Sequence, residues 1–406
     1  MLIQPLLRGV RILELGHFIA GPFCTRVLAD LGADVIKAEP PDTGDPMRTW
    51  GEMVEGKSLW WSAHARNKRS VTLDIRHREA PKLILRLAAK CDAVVENYKP
   101  GQLEKWGLTK EAFATARPGI VLVRISGYGQ TGPEAGQAGF GVIGEAKGGL
   151  RHLCAHPQES SDLPPIRIGI SIGDSIAALY GAIGLLAAVL ESRAEGAKDA
   201  RVIDVALGEA VLSLLEGVLP EYGYLGRVRQ PQGSRMATAS PSNAYRANDG
   251  SWVLIAANSD PLFKLLAQVM DRPELAGDAR FLDNQSRLRH NTELDRLIGA
   301  WVGRRTAEET IALLDEVNIP ASKIYTAADI AADRQYRARK MVTEVADPRF
   351  GTLLHPGVVP VVEGLDRDAQ IRWPGPELGR HNAEVYGDLL GCSAAEIAEQ
   401  SERKII

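Results

Sequence analysis

The chain has 406 residues, enough for two domains with proper cores. Its 48 basic and 51 acidic residues leave a net charge of −3, which excludes the clustered basic excess of a nucleic-acid binder. The four cysteines (Cys24, Cys91, Cys154 and Cys392) are scattered without a C-x-x-C pair, which argues against a disulfide framework or zinc site and fits a reducing cytoplasm.

The opening residues, with Arg8 close behind, are too short and too soon charged for a signal peptide. The first forty residues read as a β-α-β unit: a strand from Arg11 to Leu15, a helix opened by Gly21 and Pro22 and running through Leu31, and a strand from Asp34 to Glu39. Further units follow, with strands at Ser70–Asp74, Ala93–Glu96 and Ile120–Ser126 and a helix from Pro81 to Cys91. Strands alternating with helical patterns predict a mostly parallel sheet covered on both faces, hence an α/β fold.

Two stretches then match G-x-G-x-x-G, Gly127–Gly132 and Gly139–Gly144. A dinucleotide site needs the third glycine to open a helix and an acid some twenty residues on to meet the ribose. Pro133 and a glycine-rich stretch follow the first match, which reads as loop, and no such acid follows either. His152 and His156 have ligand-like spacing, but Pro157 follows at once and no glutamate follows the first histidine. No metal site is expected.

The most apolar run, Ile176 to Leu190, is too short for a bilayer crossing and suits a core helix. Asp174 stands alone at its mouth. Aspartate is a preferred helix cap, and the macrodipole favours its ionised form there. A carboxylate held at the edge of an apolar wall is also a potential nucleophile. Beyond it the pattern gives a strand at Val202–Val205 and a helix from Val211 to Val218. A Gly-, Pro-, Arg- and Ser-rich stretch between Pro220 and Pro241 reads as a linker. A smaller α/β segment follows, with a strand at Trp252–Ala256 and helices at Asp260–Met270, Thr292–Trp301 and Ala307–Val317. From about Ala331 the chain turns to loops and short strands.

An ordered set of segments carries a resemblance. It comprises Leu13–Pro22, Asp30–Glu39, Gly44-Asp45 with Arg48, Arg66–Ser70, Val95–Gly101, Ser126–Pro133 and Gly173-Asp174. Together they resemble the class III CoA-transferases, the formyl-CoA:oxalate and carnitine CoA-transferase group that includes α-methylacyl-CoA racemase. The likeness spans nearly the whole chain. It implies a Rossmann-like large domain over 1–195, a linker over 196–245, and a small α/β domain over 246–325. A return linker and C-terminal part over 326–406 would pack on the large domain, in an interlocked homodimer.

In that family the aspartate matching Asp174 is the nucleophile, forming a mixed anhydride and then an enzyme–CoA thioester, with no tightly bound cofactor. The resemblance gives Phe18, Ile19, Asn67, Lys68, Arg69, Asn97, Tyr98 and Lys105 to coenzyme A, with Lys68, Arg69 and Lys105 suited to its phosphates. Backbone N–H groups of a Gly139–Gly149 loop are the expected oxyanion donors. Phe140 stands where the racemases carry a proton-transfer histidine, so α-proton abstraction lacks a partner. Gly141 and Ile19 stand where the formyl-CoA:oxalate enzymes carry glutamate and glutamine. The approach Pro164–Asp174 is similar to enzymes that use succinyl-CoA with C4–C5 dicarboxylates (malate, itaconate, mesaconate, citramalate or glutarate). Arg48 or Arg167 would meet a distal carboxylate. A racemase and an idle CoA-binding scaffold remain the alternatives, and neither nucleic acid nor membrane is an expected partner.

Overall fold

The computed structural model describes residues 4–157, 161–195 and 198–406. They divide into two compact units. The larger comprises residues 4–151, 167–226 and 333–406 among those described. Its first elements in chain order are β1 (Arg11–Glu14), α1 (Ala20–Asp30), β2 (Asp34–Glu39), β3 (Lys68–Thr72), α2 (Ala80–Ala88), β4 (Ala93–Glu96) and β5 (Val121–Ser126). They continue with α3 (Gly141–Lys147), α4 (Ile172–Glu195), β6 (Arg201–Ala206) and α5 (Leu207–Leu212). The six strands form one parallel sheet in the order β3-β2-β1-β4-β5-β6. This is the order of a doubly wound sheet, with its topological switch between β1 and β4.

The strand sequences explain the two-sided burial. Neighbouring apolar residues point to opposite faces, so Leu13, Ile36, Val71 and Val94 join one core with Leu83, Ile84, Leu87 and Phe113. Ile12, Val35, Val95, Val121 and Val123 join the other, with Leu28, Ala177, Ala178 and Leu185. By length and composition α4 is apolar enough to cross a membrane, but half of that stretch is buried inside this unit. Small residues let it lie close: a Cβ at Gly181 would stand 3.2 Å from Ile125 and 3.4 Å from the Cys24 sulfur.

At the other edge, β3 is covered by the C-terminal part. The Trp373 indole donates to the Lys68 carbonyl at 2.8 Å, and the Tyr386 hydroxyl to the Thr72 carbonyl at 2.7 Å. The edge groups are thereby satisfied rather than left as a template for another strand.

Several elements differ from the sequence expectation. Gly139–Gly149 is not a loop, since Gly141–Lys147 is helical. The helix expected at Val211–Val218 is instead divided between α5 and a separate helix, Val218–Leu225. The strand expected at Val202–Val205 is present as β6 at the sheet edge, and it lies with α5 inside the 196–245 stretch that the resemblance gave as linker. Short helices at Arg334–Ala338 and Ala394–Glu402 lie where loops were expected. The second unit, described residues of 152–166 and 227–332, contains a three-stranded antiparallel sheet built from Ser242–Arg246, Trp252–Ala256 and Ala321–Lys323. Helices Asp260–Val269, Asn291–Val302 and Ala307–Asp315 close its core around Val253, Ile255, Phe263, Leu266 and Ile298.

Candidate active site

Ligands of open α/β sheets bind outside the carboxyl ends of the strands at the switch point. Here that crevice is framed by the loop after β1 and the residues after β4. Asn97 clasps the loop: its Oδ1 accepts from the His17 N–H and its Nδ2 donates to the His17 carbonyl, both at 2.9 Å. Gly16 makes the clasp feasible, because a Cβ there would lie 2.6 Å from Asn97 Oδ1. Phe18 adopts φ +62°, a left-handed conformation costly for an aromatic residue. Its N–H donates to Asp45 Oδ1 at 3.1 Å, and its ring meets Trp50 edge-on at 5.0 Å. Tyr98 packs on His17 at 5.1 Å and on Trp106 at 5.2 Å. The strain at Phe18 and the clasp at Asn97 fix one loop shape beside the switch point.

Beneath this loop lies a buried charge cluster. Lys37 bridges Glu14 and Asp45, both at 2.6 Å, while Lys68 holds Glu14 at 2.7 Å and the Pro22 carbonyl at 2.7 Å. Burial alone would push the Glu14 carboxyl up, but the two ammonium groups outweigh it and hold it down at about 2. Buried charges persist only when paired and hydrogen-bonded, and these satisfy one another.

This arrangement corrects the expected phosphate contacts. Lys68 is wholly buried, so it is a structural cation. Asn67 is buried as well, donating to Asp30 and the Gln370 carbonyl at 2.9 Å each. Arg69 is committed to Asp34 through bonds of 2.8 and 2.6 Å. Arg48 grips Glu39 with bonds of 2.7 and 2.9 Å and lies 3.8 Å over the Trp61 ring. Ile19 is buried in a small apolar cluster with Met47, Trp61 and Ala65. Of the three cations expected at the phosphates, Lys105 alone is exposed, at the end of the short helix Gln102–Lys105.

Asp174 stands in the first turn of α4. Its surroundings are built by α3, which lies close because its glycines lack side chains. A Cβ at Gly144 would stand 2.7 Å from Leu207, and one at Gly148 would stand 2.6 Å from Val211. A Cβ at Gly141, the first residue of α3, would stand 2.0 Å from Asp174 Oδ2. The carboxylate therefore occupies the space that a side chain at 141 would fill. Among the described residues none hydrogen-bonds this carboxylate, which sets it apart from a helix cap. Burial, reinforced by Glu145 and opposed by Arg167, pushes the carboxyl up to about 6. At neutral pH it is ionised, poorly hydrated and held without a partner. Such a group can attack an electrophilic carbon.

Phe140, next to Gly141, is exposed, as is Arg167. Packing of α1 against α4 joins the switch-point loop, which leads into α1, to the helix that bears Asp174. Glu145 matches none of the motifs above; its one signal in the sequence is a lone carboxylate in a helix otherwise of small and apolar residues and one lysine. Among the described residues no group of three His, Cys, Asp or Glu side chains converges as metal ligands.

The chain as a whole is similar to known proteins. The model of CoA-transferase family III matches residues 7–382. Succinyl-CoA–D-citramalate CoA-transferase of Chloroflexus aurantiacus is 45% identical over 98% of this chain and 98% of that protein. The succinyl-CoA–L-malate CoA-transferase alpha subunit of the same organism is 37% identical over 98% of this chain and 92% of its own. Among solved structures, a CAIB/BAIF family protein from Brucella suis superimposes with a TM-score of 0.82 at 32% identity, covering 95% of this chain and all of that one.

Proposed function

The chain belongs to CoA-transferase family III, and from that membership we propose that it moves CoA from succinyl-CoA to a C4–C5 dicarboxylate with Asp174 as nucleophile. One observation carries this reading: a shielded carboxylate, without a hydrogen-bond partner, faces the gap left by Gly141. An Asp174 oxygen attacks the thioester carbonyl carbon, the C–S bond breaks, and CoA leaves as its thiolate. The thiolate then attacks the aspartyl carbonyl of the resulting anhydride and expels succinate, leaving an enzyme–CoA thioester. An acceptor carboxylate runs the two steps in reverse. Each step exchanges one activated acyl group for another, so the protein supplies positioning and exclusion of water.

Coenzyme A belongs, in this reading, at the switch point beside Phe18, Asn97 and Tyr98, with Lys105 available to a phosphate. Arg48 is spent on Glu39, which leaves Arg167 as the cation for the distal carboxylate. Its exposure and its electrostatic pull on Asp174 support that role. Phe140 in place of a basic residue weighs against racemisation.

Purified protein given succinyl-CoA with citramalate, malate, itaconate, mesaconate or glutarate is expected to form at least one new CoA thioester by mass spectrometry. Arg167→Gln is expected to raise the acceptor KM about tenfold, the worth of one exposed charge-assisted contact. Failure to make any new thioester sinks the assignment.

The reading includes a homodimer. Ile183 and Leu190 on α4 are 62% and 70% exposed, and Leu219, Tyr222 and Leu225 on the next helix are exposed too. Large apolar side chains left exposed in this number call for a partner. Light scattering is expected to give twice the 44.0 kDa chain mass; a monomer at micromolar concentration contradicts it.

A further inference from the structure

We infer that Glu145 is a positioning residue whose fixed negative charge, lodged beside the turn that presents Asp174, favours the covalent forms of the enzyme over the free carboxylate. The inference rests on the Asp174 reading above and adds a second residue to it.

Glu145 lies on α3, the helix whose first residue makes room for Asp174. Its side chain is wholly buried. It packs against the turn that leads into the nucleophile: a Cβ at Gly173 would stand 3.2 Å from Glu145 Cγ and 2.8 Å from the Gly141 carbonyl oxygen. One carboxylate oxygen, Oε2, accepts from Arg151 Nε at 2.8 Å. The other, Oε1, is buried without a hydrogen-bond partner. An orphaned buried oxygen is unfavourable for stability, and a glutamine or an apolar residue of the same size would fit the site without a buried charge. Arg151 is 23% exposed, so solvent screens its compensation while the glutamate stays dry.

The reaction gives this cost a use. Asp174 carries its negative charge only in the free enzyme. In the mixed anhydride and in the enzyme–CoA thioester the same carbonyl carbon is bonded to a neutral partner, and the charge has left with thiolate or carboxylate. A nearby fixed anion destabilises the first state and leaves the two covalent states nearly untouched. An anion made less stable in this way holds a proton more tightly, and it bonds a carbonyl carbon more readily for the same reason. Glu145 therefore works by repulsion, without touching the substrate.

The charged groups on elements packed around α4 are otherwise occupied or remote in effect. Arg26 of α1 pairs with Asp30, and Arg124 of β5 with Glu96 and Glu104. Asp204 of β6 accepts from the Gln130 N–H, Arg201 pairs with Glu191, and Lys147 of α3 with Glu134. Glu209 of α5 completes the set. The charges that act on Asp174 are Glu145 and, with opposite sign, Arg167.

The test follows formation of the enzyme–CoA adduct from succinyl-CoA by intact mass, between pH 4.5 and 8, for wild type and for Glu145→Gln, Glu145→Met and Glu145→Asp. Wild type is expected to show an acidic limb near pH 6. Either neutral variant is expected to move that limb down by about one unit and to lower the covalent fraction at pH 7 by up to about tenfold, one unit being a tenfold change in equilibrium. Glu145→Asp, which keeps the charge, retains the wild-type limb. A folded neutral variant with unchanged limb and unchanged covalent fraction overturns the inference, as does an aspartate variant that behaves like the neutral ones. Asp174→Asn separates the two levels. If it forms the adduct, the nucleophile assignment falls and this inference with it; if it is inert while Glu145→Gln matches wild type, only this inference falls.

Discussion

Asp174→Asn is expected to lose CoA transfer by about 10³-fold or more, the scale of removing a covalent nucleophile, while melting at a higher temperature than wild type at pH 7–8. The two halves have one cause. Burial first, then Glu145, raises the Asp174 carboxyl from 3.8 to about 6 in the folded chain, against the pull of Arg167. An acid whose folded value lies above its unfolded one stabilises the fold when protonated. That contribution is complete below about pH 4 and is lost as pH rises through about 6. At neutral pH the wild type therefore carries an ionised group that the fold disfavours, by at most about 3 kcal/mol for a shift of this size. Asparagine is neutral at every pH and escapes the penalty. Thermal melts at pH 4 and pH 8 check it: the variant's advantage appears at pH 8 and closes at pH 4. An aspartate serving only the helix terminus predicts the opposite sign, since its loss costs about 0.3–1 kcal/mol through the macrodipole. A lower melting temperature for the variant at pH 8, or transfer within tenfold of wild type, refutes the nucleophile.

The strands were legible because their apolar residues run continuously through both faces, as at Arg11–Glu14, Asp34–Glu39 and Ala93–Glu96, all three matched within a residue. Asp174 was legible as a candidate because a lone carboxylate stands at the mouth of the most apolar run in the chain. The basic residues were not. Lys68 was expected at a coenzyme A phosphate and Lys37 carried no expectation, yet the alignment of β1, β2 and β3 brings both to Glu14, 54 and 23 positions away in sequence. Arg48 and Glu39 likewise meet only across a loop. The Gly139–Gly149 stretch was misread for a different reason. Glycine disfavours helices intrinsically, yet here its missing side chains permit a close approach of α3 to α4 and α5, and tertiary packing overrides propensity. That same close approach brings Glu145 beside Asp174, so the error about the helix and the omission of Glu145 share one origin.

Gly141→Ala tests the close approach directly, and its expected result is a well-folded enzyme with transfer reduced about 10²-fold. The added methyl would lie 2.0 Å from Asp174 Oδ2 and 2.6 Å from its Cγ, distances no real Cβ tolerates. Something must shift, and the colliding atoms belong to the free end of a side chain without a hydrogen-bond partner. Rotation of that carboxylate is easier than movement of two packed helices. Gly141 lies in ordinary helical backbone at the start of α3, so alanine brings no conformational strain there and gains about 0.5–1 kcal/mol from its better helix propensity. Stability should thus stay near wild type while the nucleophile is turned away from its line of attack, and a displacement of about 1 Å costs on the order of 10²-fold in rate. Gly173→Ala is the informative contrast. Its methyl would meet the Gly141 carbonyl oxygen at 2.8 Å, a backbone atom that cannot swing aside, so destabilisation should accompany any loss of activity. Melting curves and adduct formation measured side by side distinguish the two. If Gly141→Ala retains transfer within threefold of wild type, Asp174 does not act from the position that the bare glycine leaves open.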